Sequence, residues 1–333
     1  LPPEYFGEPE SPVVNETQPP AATQPSPDFA DVDLSSGLAT NFGSGGGSSL
    51  AFADALSGAS GVGYIDSALV RNQIRFRFDA SYDNPTPDRA EFFYPQCGCF
   101  GPQARGPGNT GQVETGVDYQ ELSMYAETLL MSDMISGFVE VPIRLINPEV
   151  NDNTAGISDI NFGFKAALIQ NRCSALTFQF KTYVPTGEGD RGLGTEHVTL
   201  EPGLLFLHRL DNRTTLEAEI RDFIPVDGTD GYAGNVLRYG LGLSRTMIDN
   251  GRFSVTPVFE TVAWSVLSGD VLTENGLESA ETTIVNSKIG GRFNLAPQCR
   301  GQATKSLYVG YGKALTSDRW YDDTLRLEYR YAF

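Results

Sequence analysis

The chain has no uninterrupted run of roughly 18 or more apolar residues, the length a membrane-crossing helix needs, and its mean hydropathy is −0.23. A helical membrane protein is therefore excluded. A β-barrel is not, because only alternate residues of its strands face lipid. Positive charge is also scarce: 24 Lys and Arg against 42 Asp and Glu leave a net charge of −18. Nucleic acid, whose phosphates this balance repels, is excluded as a partner. There are four cysteines, Cys97, Cys99, Cys173 and Cys299, and two histidines, His197 and His208. Cys97-Gly98-Cys99 has no histidine nearby, so it lacks the clustered ligands of a zinc centre. The cysteines remain disulfides or thiols of undetermined connectivity. A Ser/His hydrolase needs a histidine within reach of a serine, held by a third polar group. Neither histidine stands in a His-x-Ser strand pattern, so no catalytic residue, cofactor or metal is expected. Leu1 does not open a basic stretch followed by an apolar one, so the sequence reads as an exported chain with its signal peptide removed.

Glycine, proline and aromatics are plentiful instead, with 36 Gly, 20 Pro, 20 Phe and 14 Tyr. From about residue 67 they fall among strand-length segments near 68–83, 119–131, 135–146, 159–170, 174–185, 198–210, 215–225, 235–247, 253–266, 283–295, 305–315 and 324–333. The last is the clearest. Leu325, Leu327, Tyr329, Tyr331 and Phe333 share one face and Arg326, Glu328 and Arg330 the other, as in a strand between lipid and a wet lumen. The connections between segments alternate between long and short, and Asp211-Asn212 and Asp249-Asn250-Gly251 have tight-turn chemistry. A soluble two-sheet protein shares the period of two, but neither the loop asymmetry nor the terminal aromatic. The expected fold is an all-β, antiparallel transmembrane barrel of about twelve strands over 67–333, with long loops outside and short turns in the periplasm. Cys97 and Cys99 then belong to the outer rim, and Cys173 and Cys299 to the periplasmic rim.

Gly156-Ile157-Ser158-Asp159-Ile160-Asn161-Phe162-Gly163-Phe164-Lys165, and Val184-Pro185-Thr186-Gly187 at the end of the next hairpin, resemble two signatures of the bacterial outer-membrane family known as "MetA-pathway of phenol degradation". The resemblance covers about residues 120–333. It implies an outer-membrane barrel that passes small, often hydrophobic molecules, without catalytic residues.

The polar strand faces collect Arg75, Arg77, Glu140, Arg144, Asp159, Lys165, Lys181, Arg238, Lys288, Arg292, Arg326 and Arg330. These are the expected lumen and selectivity residues, since charged rings decide which solutes a pore admits. The alternative is that they pair across strands and solvate a closed interior. Tyr331 and Phe333 are the expected assembly signal for the barrel-assembly machinery. Residues 34–66 turn to Gly, Ser and Ala, with a short helix expected at Ser49–Leu56. About 34–63 is expected to enter or cap the barrel. Residues 1–33 form an acidic Pro-rich tail without apolar periodicity. Such a tail orders only against another surface, so a neighbouring subunit of a homo-oligomer, or a periplasmic or outer-membrane protein, is its expected partner. The functional expectation is a porin-like channel in the bacterial outer membrane for passive passage of small solutes, polar or aromatic and hydrophobic; the alternative is a structural barrel subunit of an outer-membrane assembly.

Overall fold

The structure, a computed structural model, describes residues 60–84, 116–149, 152–226, 234–273, 276–279, 281–295 and 303–333. Its strands are β1 (Gln73–Asn84), β2 (Val117–Ser132), β3 (Ile135–Pro148), β4 (Thr154–Ile157), β5 (Ile160–Gln170), β6 (Ser174–Val184), β7 (Val198–Arg209), β8 (Thr214–Val226), β9 (Val236–Arg245), β10 (Ile248–Asp249), β11 (Phe253–Val266), β12 (Asp270–Thr273), β13 (Gly276–Ser279), β14 (Thr282–Leu295), β15 (Thr304–Ala314) and β16 (Asp323–Ala332). Twelve long strands pair antiparallel with their neighbours, and β1 pairs β16 from Gln73↔Ala332 to Tyr82↔Asp323. The sheet therefore closes. Closure leaves no unpaired edge, the condition for a sheet to stand in lipid.

Alternation decides which residues face out. Phe162, Phe164, Leu325 and Leu327 are exposed on the outer wall, while their neighbours Asn161, Lys165, Arg326 and Glu328 are buried inside. Ile74, Phe76, Leu241, Phe259, Ile289 and Leu307 extend the apolar surface around the barrel. Water would not tolerate so continuous an apolar belt; hydrocarbon solvates it.

The short turns share one rim and use side chains as backbone acceptors. Asn171 Oδ1 accepts from the N–H of Cys173 and Ser174 at 2.9 Å each. Asp211 Oδ1 accepts from Arg213 and Thr214, and Asn250 Oδ1 from Arg252 and Phe253. These are the Asx turns that the Asn and Asp residues specify. Cys173 is exposed in this rim; Cys97, Cys99 and Cys299 lie outside the described residues, as do 1–59 and the helix expected at Ser49–Leu56.

Three features depart from expectation. The first strand begins at Gln73, not 68, because residues 60–72 lie inside the barrel, with Val62, Ile65, Ala68, Leu69 and Val70 buried. The connection expected at 267–282 carries the β12–β13 hairpin. The connection after β15 folds inward, burying Trp320 and Tyr321 beside Trp264. In addition, the β7–β8 register passes from Leu200↔Ile224 to Gly203↔Arg221. The interruption falls at Pro202, which has no N–H to give the ladder.

Candidate functional site

The inward residues of the strands form a charged network. Arg326 grips Asp79 with two bonds of 2.6 and 2.7 Å, and Arg144 grips Glu121 with bonds of 3.0 and 2.6 Å. Arg238 meets Glu219 at 2.8 Å and Lys165 meets Glu127 at 3.4 Å. Arg292 and Arg330 each reach Glu328 at 2.9 Å. Arg77 spans Glu121 and Glu140, at 3.2 and 3.3 Å, and Arg75 lies 3.8 Å from Glu140. The cations expected to line the lumen thus face inward, each against a carboxylate or the inserted segment, and Glu140 faces Arg75 and Arg77. Such pairs fix geometry more than they add stability, since desolvation offsets most of the attraction.

Residues 60–72 thread through this network as a bend whose apex is Tyr64–Asp66. Glu217 accepts the N–H of Gly61 at 3.0 Å, and Glu260 accepts those of Gly63, Tyr64 and Ile65 at 3.2, 2.8 and 2.9 Å. Cations take the carbonyls. Arg292 donates to Gly61 and Val62, Arg326 to Gly63, Arg238 to Tyr64 and Lys165 to Ser67. Lys288 Nζ stands 2.7 Å and the Arg326 guanidinium 3.9 Å from the Tyr64 ring centroid, a cation–π clamp on the apex. Glycine makes the approach feasible: a Cβ at Gly63 would enter the Tyr308 ring, and one at Gly242 would lie 2.5 Å from Val62 Cγ1. After Ala68 and Leu69 the segment returns to the short-turn rim, where Asn72 bonds Leu129 and Phe333.

Between the insert and the long-loop rim lies a cavity of about 90 Å³ with Tyr64 and Asp66 in its floor. Arg77, Arg144, Lys181, Arg221, Arg238 and Arg326 line it, interleaved with Asp79, Glu121 and Glu140. Tyr119, Tyr183 and Phe223 supply its aromatic wall.

Asp159 lines the cavity and has a further task. It precedes β5 and clasps the long connection between β6 and β7: Oδ1 accepts from Gly187 N–H at 3.0 Å, and Oδ2 from the N–H and hydroxyl of Thr195 at 2.8 Å each. Thr186 Oγ1 accepts from Ile160 N–H at 2.9 Å and donates to the Ser158 carbonyl at 3.0 Å. The Gly156–Lys165 and Val184–Gly187 segments therefore bond to each other, which gives both motifs a structural reason. Burial pushes the Asp159 carboxyl up against these donors, and burial holds the nearby His197 imidazole below its usual value. Further lumen carboxylates lie in Glu217-Ala218-Glu219-Ile220-Arg221, whose period of two turns Glu217, Glu219 and Arg221 inward.

His208 shares a 2.8 Å hydrogen bond with Ser174 across β6 and β7, near the short-turn rim. Among the described residues no third polar group orients the ring, so the pair lacks the arrangement of a hydrolase. The Tyr331 and Phe333 rings meet at a tilt of 33°, with centroids 5.6 Å apart, at the same rim.

Fold and lumen together define a closed barrel with an apolar belt and a charged, partly filled interior. No protein-family model matches the chain, and no curated protein matches it in sequence. Among solved structures it is similar to an outer membrane channel from Pseudomonas putida F1, with TM-score 0.51 and 12% identity over 82% of this chain and 99% of that one. The beta domain of the Bordetella autotransporter Brka gives 0.45 and 13%, over 79% and 100%. LpxR from Salmonella typhimurium gives 0.39 and 10%, over 78% and 99%. At these identities the likeness is one of fold.

Proposed function

We propose that this chain is a channel of the bacterial outer membrane for small solutes, narrowed at rest by residues 60–72. The observation that carries the reading is an apolar belt around a charged lumen that holds a polar cavity above the inserted segment. The long-loop rim is then the outer face and the short-turn rim the periplasmic one, where Tyr331 and Phe333 meet the assembly machinery. The insert is joined to the wall through amides, carboxylates and cations and by the buried side chains of Val62, Ile65, Ala68 and Leu69, and release of the insert exchanges these contacts for water. The contact between the Gly156–Lys165 and Val184–Gly187 motifs supports membership in the phenol-degradation family of outer-membrane proteins. Residues 1–33 remain the proposed partner-binding tail.

Planar-bilayer conductance of the full chain tests the reading, compared with the Glu217→Gln/Glu260→Gln variant. The expected result is small or intermittent conductance that rises in the variant. Silence in both favours the second reading, a structural barrel subunit, which the extensive pairing of the lumen charges and the seated insert also support.

A further inference from the structure

Asp66 sits where three wall strands aim donors at one point. Its Oδ2 accepts from Lys181 Nζ at 2.8 Å, Arg221 Nη1 at 3.2 Å and Gln179 Nε2 at 3.4 Å, and its Oδ1 from Arg75 Nη1 at 3.4 Å. Without Asp66 two of these cations are poorly matched by the wall. Lys181 is left with Glu201 at 3.6 Å, and Arg75 with Glu140 and Glu328 at 3.8 Å, whereas Arg221 keeps Glu201 at 2.7 Å and Glu219 at 3.2 Å. The wall thus builds a cationic cradle whose anion arrives on a separate segment.

That anion is also the accessible member of the group. The Asp66 side chain is 12% exposed, against 6% for Lys181 and 3% for Arg221, and all three line the cavity. Tyr183 and Phe223, whose centroids are 6.0 Å apart, face the same cavity. A charged cradle beside an aromatic wall suits a solute with one carboxylate and a small apolar body.

We propose that Lys181, Arg221 and Arg75 form a carboxylate-binding site, that Asp66 is its tethered resident, and that a small monocarboxylate entering from the long-loop rim competes with Asp66 for it. The inference rests on the channel reading for its biological role, because it makes solute binding and release of the insert one event. The Asp66 side chain is one of the ties between the bend and the wall, so an anion that replaces it removes that tie and leaves the backbone bonds to Glu219, Glu260 and Arg238 to hold the bend. By linkage, solute then shifts the insert toward its displaced state.

Calorimetric titration of the full chain in detergent, with benzoate as probe and benzamide as its uncharged counterpart, tests this. Asp66→Asn removes the competitor and is expected to raise benzoate affinity at least about tenfold, as loss of an intramolecular rival does. Asp66→Glu, which keeps the charge, is expected to stay near the parent value. Adding Lys181→Gln to Asp66→Asn should abolish the gain, and benzamide should bind neither form. A folded Asp66→Asn barrel that binds benzoate no more tightly than the parent overturns the inference, as does an equal gain for sulfate. Conductance without the affinity gain defeats the site alone. The gain without conductance upholds the site and defeats the transport role.

Discussion

Glu260 alone accepts three consecutive amides of the insert and the Tyr308 hydroxyl, the last at 2.8 Å. Glu260→Ala leaves those donors facing a wall where Val62 and Ile65 exclude water. Each buried donor left unmade costs about 1–3 kcal/mol. The insert should lose most of its local stability, while the ladder bonds of β11 keep the barrel closed. Amide exchange at 63–65 is expected to accelerate strongly with little change elsewhere; unchanged protection there would contradict the assignment. Asp222 presents the opposite case. It lies on the outer wall opposite Leu237, next to Pro202 and Leu204, and its buried Oδ1 has no hydrogen-bond partner among the described residues. A lipid-facing carboxylate is a cost of about 1 kcal/mol or more, depending on depth. Asp222→Asn should therefore stabilise the barrel by about that amount in urea unfolding from lipid vesicles, and a loss of stability would mean that Asp222 has a partner on that face.

The clasp between the start of β5 and the β6–β7 connection makes the long-loop rim sensitive to acid. His197 Nδ1 donates to the Thr195 carbonyl at 2.9 Å, and burial holds the imidazole below its ordinary value of 6.5. Below 6.5 the unfolded connection binds more protons than the folded one, so stability rises with pH across that window and is fully present above it. It is withdrawn as pH falls from about 6.5 toward the folded value. Asp159 acts with the opposite sign and lower down, because its carboxyl is raised from 3.8. The expected outcome is that protection of the 186–195 amides weakens between about pH 7 and about pH 5 in the parent and much less in His197→Gln. At this scale the sequence was informative where physics is local. The period of two placed the twelve long strands within a few residues, and Asn171, Asp211 and Asn250 marked their turns. It was uninformative where a segment's place depends on the rest of the molecule. Ala68-Leu69-Val70 has the apolar character of a strand start, and only a lumen already lined by Glu127, Lys165 and Thr177 turns it into filling. Trp320 and Tyr321 likewise look like loop residues until Lys288 donates to the Tyr321 hydroxyl at 2.7 Å and draws the connection inward.

For the whole molecule, the net charge of −18 says little about what the lumen prefers, because selectivity depends on the charges that line the path. Around the cavity the cations Arg77, Arg144, Lys181, Arg221, Arg238 and Arg326 face the carboxylates Asp66, Asp79, Glu121, Glu140 and Asp159, so the local balance is close to neutral with a slight positive excess. Removing a few cations there should reverse its sign. Replacing Arg75, Arg77 and Arg144 with Gln leaves Glu121 and Glu140 without their short cation contacts, and the lumen should then favour cations. Breaking buried pairs one-sidedly costs about 3–5 kcal/mol each, so folding competence limits the experiment. Arg77 offers the mildest entry, since its side chain is 18% exposed against 4% for Arg144. Reversal potentials under a salt gradient are expected to move toward the cation equilibrium potential in Arg77→Gln and further in the triple variant. A reversal potential that stays at the parent value in a folded, conducting triple variant would place the conduction path away from this network.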